Sequence, residues 1–203
     1  SAYNLQEYST FYNSGNNSAE ESLQNVENNI WKMSSKIEHS IFQVTQEATF
    51  KIEDDKVFLL NAFRKTRAFG GFRREKQSFL VDYGKNEIIY EYNKEKGTIP
   101  FKCENFSDCR FFDNLTLQIQ SKLSLVDKEL PINLKFNYLD KGKIKEKVFK
   151  IEDSIDADQD TNANKIKFSE IRDDDKGFTL WFDTLINYTT YKIYKDFGAQ
   201  DLT

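Results

Sequence analysis

The sequence has few of the residues that do chemistry. Its 203 residues include one histidine, two cysteines and one methionine. No glycine-rich phosphate loop and no Gly-x-Ser-x-Gly elbow occurs, so phosphate cradling and serine-nucleophile chemistry lose their usual signatures. Two cysteines cannot fill a four-thiolate zinc site, and Cys103 and Cys109 lack the Cys-x-x-Cys spacing of a dithiol redox centre. Proline is confined to Pro100 and Pro131, which removes one obstacle to long strands. There is no apolar run of the length a membrane-spanning helix needs. An excess of basic charge is also missing. Lys and Arg number 29 against 33 Asp and Glu, a net charge of −4, whereas a dedicated nucleic-acid binder is usually basic. The expectation is a protein that is not an enzyme, with no cofactor and no nucleic-acid partner.

Aromatic side chains are abundant, with 18 Phe and 10 Tyr. Rings cover large areas and suit the pleated, half-buried surface of a sheet. Turn signals recur about every ten residues, and the stretches between them alternate with period two. Strands are expected at 3–12, 18–26, 30–38, 47–53, 56–69, 72–83 and 87–94, with 41–46 a corner or short turn. Asn13–Asn17, Asp54-Asp55, Gly70-Gly71 and Gly84–Asn86 mark the turns. Short loops of this kind favour an antiparallel meander. The period then changes. Leu115, Ile119, Leu123 and Val126 recur at helical spacing behind Asp113, a fair N-cap, so one helix is expected near 113–126. Strands resume at 132–138, 145–152, 165–171, 178–183 and 188–195. The fold class is mainly β: a single domain over 1–203, built as one strongly curved antiparallel sheet or open β-barrel carrying one helix.

Several segments resemble the exported bacterial proteins of domain-of-unknown-function family 3108. The resemblance runs through Tyr3-Asn4-Leu5 and the short strand at Ala19–Leu23. It continues in the basic stretch Phe63-Arg64-Lys65-Thr66-Arg67 to Arg73–Phe79, in Asp113-Asn114-Leu115-Thr116, and in Leu180-Trp181 with Tyr188–Ile193. Thr190 stands where that pattern has Pro, and Thr116 where it has Ser. The resemblance implies a signal peptide, an envelope or periplasmic location, a curved β-sheet and no catalytic residues. In such an oxidising compartment a Cys103–Cys109 disulfide is expected, against the alternative of two unrelated thiols.

The first functional expectation is a carrier that binds a lipid, acyl chain or peptide on an apolar sheet face. Phe58, Leu60, Phe136, Phe149, Phe178 and Trp181 are its candidate lining, although core packing is the commoner reason for such residues. The alternative is an interaction scaffold that docks an envelope protein through a sheet edge or through the basic hairpin 63–79. That hairpin carries Arg64, Lys65, Arg67, Arg73, Arg74 and Lys76 beside Phe63, Phe69 and Phe72. If Gly70-Gly71 is its tip, alternation gathers several of these cations on one face, suited to the phosphates of lipid headgroups or to nucleic acid with stacking Phe rings. The bland reading is an edge that uses Lys and Arg against aggregation. Asp156, Asp158 and Asp160, followed by Asn162 and Asn164, alternate like calcium ligands. Thr161 and Lys167 stand where that loop needs Gly and Glu, so a solvated acidic loop competes. His39 lacks a neighbouring nucleophile motif and reads as structural.

Overall fold

A computed structural model describes residues 5–15, 17–103, 109–125, 132–153, 165–172, 178–183 and 189–195. The protein is mainly β, with one α-helix, α1 (Asn114–Leu125). Its chain forms two compact units, Ser1–Val126 with Asn137–Lys145, and Asp127–Phe136 with Glu146–Thr203.

The first unit holds an eight-stranded antiparallel meander in chain order. Its strands are β1 (Tyr8–Ser14), β2 (Asn17–Glu27), β3 (Ile30–Glu38), β4 (Phe42–Glu53), β5 (Lys56–Ala68), β6 (Arg73–Asp82), β7 (Glu87–Tyr92) and β8 (Glu95–Pro100). The connections are tight because their residues accept left-handed backbone. Asn28, Asp54, Asp55, Asn86 and Asn93 all have positive φ, a conformation that Asn and Asp tolerate. Register fixes which face is buried. Leu23, Met33, Ala48, Ala62 and Phe79 form one cross-strand row, and all are buried. Helix α1 packs on this face against β3, β4 and β5, placing Leu115, Leu117, Ile119 and Leu123 in the core. Each such side chain contributes about 1.5–3 kcal/mol relative to exposure.

Between the meander and the helix, Cys103 and Cys109 lie at disulfide distance, with Cα atoms 5.6 Å apart. The two-residue β9 (Phe111–Phe112) follows and pairs in parallel with residues 137–138 of β10 (Ile132–Asp140). The turn from β10 into β11 (Lys143–Asp153) needs glycine at Gly142. Its φ is 69°, and a Cβ there would lie 2.5 Å from the Tyr90 ring.

In the second unit, residues 132–136 of β10 and β11 from Glu146 onward are followed by β12 (Lys165–Glu170), β13 (Phe178–Asp183) and β14 (Thr189–Lys195). Phe149 stacks on Phe168 with ring centroids 4.4 Å apart, and Phe136 meets Phe149 edge-on at 5.8 Å. Lys147 pairs with Glu170 at 3.1 Å beside this cluster.

The expectation of one sheet is corrected: the strands fall into an eight-stranded and a six-stranded sheet. The last strand of the meander ends at Pro100, with one further bond from Phe101 N–H to the Asn86 carbonyl at 3.0 Å. The Cys103–Cys109 stretch and helix intervene, and β9–β10 starts the second ladder in parallel. Among the described residues the larger sheet has free edges at β1 and β8, so no barrel closes there. Residues 41–46 and 47–53, expected as separate elements, are one strand, β4. Residues 95–100, which had no expected strand, form β8.

Candidate functional site

The first candidate is the end of the β5–β6 hairpin. Gly70 and Gly71 turn the chain with φ of 64° and 97°, and Arg74 Nε donates to the Gly71 carbonyl at 3.0 Å. The register then sets Lys65 opposite Lys76 and Arg67 opposite Arg74. Opposed residues, and residues two apart on one strand, share a face. These four cations therefore occupy one patch on the face turned away from α1. Like charges directly opposed destabilise a sheet, so this register works against folding. Lys76 lies 3.7 Å from Glu91, and Glu91 also meets Lys96. Lys65, Arg67 and Arg74 make no ion pair among the described residues. Phe72 stands at the tip, 94% exposed.

On one side this end overhangs its neighbour. Pairing with β7 begins at Gln77–Tyr92, so residues 73–76 of β6 extend beyond β7, where Lys76 and Asn93 exchange hydrogen bonds, while β4 flanks β5 as far as Ala68.

The opposite face of the same hairpin is neutralised. Arg64 donates to Asp140 Oδ1 at 3.1 Å, with side chains 18% and 15% exposed. Lys145 reaches the other Asp140 oxygen at 2.7 Å. Lys141 pairs with Glu75 at 3.1 Å, and its backbone N–H donates to Gln77 Oε1 at 3.0 Å. Burial acts to raise the Asp140 pKa. The Lys145 hydrogen bond and the Arg64, Lys145 and Lys141 charges outweigh it, so the carboxyl lies below its ordinary range. The sequence gives no sign that Arg64 differs from Lys65, because both lie in one basic run. Parity along the strand separates them: Arg64 points to Asp140, and Lys65 to the open face.

A small cleft lies between this face and the start of α1. It is lined by Gln46, Phe63, Arg64, Gln77, Asn114 and Tyr138, among others, and spans about 210 Å³ counting its open mouth. Asn114 Nδ2 donates to Gln46 Oε1 at 2.9 Å, and the Tyr138 hydroxyl donates to Asn114 Oδ1. Asp113 at its edge is buried, and burial pushes its pKa up against the hydrogen bonds from Thr116 and the Arg64 charge. Those bonds form a reciprocal cap. Thr116 N–H and Oγ1 donate to Asp113 Oδ1 at 2.9 and 2.7 Å, and Asp113 N–H donates to Thr116 Oγ1 at 3.0 Å. The expected N-cap is thus in place.

The candidate apolar lining is not gathered into one site. Phe58 is buried in the first unit, edge-on to Tyr83 at 5.9 Å. Leu60 is half-buried and is the extra residue of a bulge, since Thr49 pairs with Asn61 and Phe50 with Leu59. Phe136 and Phe149 are buried in the second unit. Trp181 is half-buried on β13. Phe178 also lies on β13, its side chain outside the described residues, as are Asp156, Asp158 and Asp160 of the calcium-like loop. Arg73 and Phe72 are exposed near the hairpin tip. His39 stacks on Phe42 at 4.8 Å and accepts the Ile41 N–H at 3.3 Å, a turn-closing role. No α-helix among the described residues is long and apolar enough to cross a membrane.

No family model, curated protein or solved structure matches the chain. The likeness to family 3108 stands on its short motifs alone.

Proposed function

We propose that this is a non-enzymatic interaction protein that docks an anionic partner through the outer face and tip of the β5–β6 hairpin. One observation carries this reading: Lys65/Lys76 and Arg67/Arg74 are opposed in register on one face, Arg67, Arg74 and Lys76 are exposed, and among the described residues Lys65, Arg67 and Arg74 make no ion pair. Edge protection needs isolated lysines. It does not need like charges set against each other, nor an exposed Phe72. A surface that keeps a destabilising charge arrangement is expected to use it. The carrier reading has less support. Its candidate rings are spread over two units or packed against other rings, and none of its candidate residues lines the cleft beside α1. The cysteine pair at disulfide distance favours an oxidising compartment, and the family likeness points to the bacterial envelope.

The test is retention on a sulfonate cation exchanger at neutral pH. The chain carries −4 overall, so retention requires a concentrated local patch. Binding is expected for the native chain and lost in Lys65→Thr/Arg67→Thr/Arg74→Thr. Equal retention of the triple variant would defeat the proposal.

A further inference from the structure

We infer that the partner surface is an anionic lipid membrane, with Phe72 entering the boundary below the headgroups. This rests on the docking role of the hairpin and names its occupant. Phe72 is 94% exposed at the tip of a hairpin whose β6 arm overhangs β7. Lys65, Arg67, Arg74 and Lys76 lie directly behind it on one open face. A lipid surface presents the two matching features at the right depths: a continuous layer of phosphate charge, and apolar matter just beneath it. Cations meet the first while an aromatic ring reaches the second.

Glu75 faces the other side and pairs with Lys141. The acids that share the open face are paired: Glu91 with Lys76 and Lys96, Glu47 with Lys32 and Glu38 with Lys36. An acidic protein partner would satisfy the cations but would also need a pocket for the ring.

The experiment is vesicle co-sedimentation of the full chain. Phosphatidylcholine vesicles are compared with phosphatidylcholine/phosphatidylglycerol vesicles, at low and high salt, with inorganic phosphate and polyglutamate as competitors. Binding is expected only to the phosphatidylglycerol vesicles, weakening with salt and resisting both competitors. Arg67→Ser/Arg74→Ser should weaken it about 25-fold, at roughly fivefold per cation. Phe72→Ser should weaken it about tenfold with the melting temperature unchanged, and Phe72→Trp should retain it. Absence of vesicle binding while exchanger retention persists would overturn the lipid assignment and leave the docking role standing. Displacement by polyglutamate, with Phe72→Ser indifferent, would also overturn it in favour of an acidic protein. Loss of both vesicle binding and exchanger retention would overturn the two together.

Discussion

Replacing Lys65 and Arg67 by threonine should make the protein more stable while it loses anion binding. Each residue faces a like charge across the hairpin, Lys76 and Arg74 respectively. For opposed cationic heads in water, a separation of about 7 Å corresponds to a repulsion of roughly 0.6 kcal/mol per pair. Physiological salt cuts this to about half or less. The two pairs therefore oppose folding by about 1 kcal/mol at low ionic strength, within the range known for opposed side chains. Lys76 recovers a little from Glu91, so the arginine pair should carry the larger share. Threonine adds a few tenths of a kcal/mol through its strand preference. Urea unfolding should show a gain near 1 kcal/mol at low salt, equivalent to about 3 °C in melting temperature. The gain should shrink as salt is added. A destabilised variant, or a gain that ignores salt, would show that opposed charge is not what strains this hairpin.

Asp140→Asn should destabilise by about 2 kcal/mol at neutral pH, because it leaves the half-buried Arg64 guanidinium without its counter-charge. The folded carboxyl titrates below its unfolded value. Its contribution is thus complete above an unfolded pKa of about 3.9 and fades as pH falls through the folded one, so native and variant stabilities should converge in acid-titrated melts. Asp113 has the opposite sign. Its raised pKa makes stability fall as pH climbs through the ordinary carboxylate value toward the folded one, and Asp113→Asn should remove that slope. Reduction of Cys103–Cys109, six residues apart, should lower stability by about 2 kcal/mol through freed loop entropy, read as a lower denaturation midpoint in dithiothreitol. Thr116→Ala should weaken the start of α1 by about 1 kcal/mol, seen as faster amide exchange in its first turn.

The meander was legible because its turns are written in residues that accept positive φ. Asp54-Asp55, Gly70-Gly71 and Asn86 stand where the chain reverses, and the helix follows from its stripe and its Asp113 cap. The switch to a second sheet was not legible. It depends on β9 pairing in parallel with β10, a contact between residues some 26 apart in a segment of only two, which leaves no periodic trace. The hairpin cations were visible as a run, but their division into a neutralised face and an open one was not. That division is set by the pairing of Arg64 with Gln77 and of Lys65 with Lys76, and a shift of one residue would reverse it. The bulge at Leu60 hides parity in the same way, as an insertion that no single residue type announces.

The ion pair between Arg64 and Asp140 has a consequence for biosynthesis. Its acid is translated 76 positions after its base, a wait of roughly 4–15 s at ribosomal speeds of 5–20 residues per second. The meander joins neighbours in chain order and can assemble as it emerges. The guanidinium, however, stays without its carboxylate until the segment 137–145 arrives. A nascent chain that stalls soon after the helix would hold a nearly complete sheet with one uncompensated charge on its inner face, a state suited to capture by a chaperone.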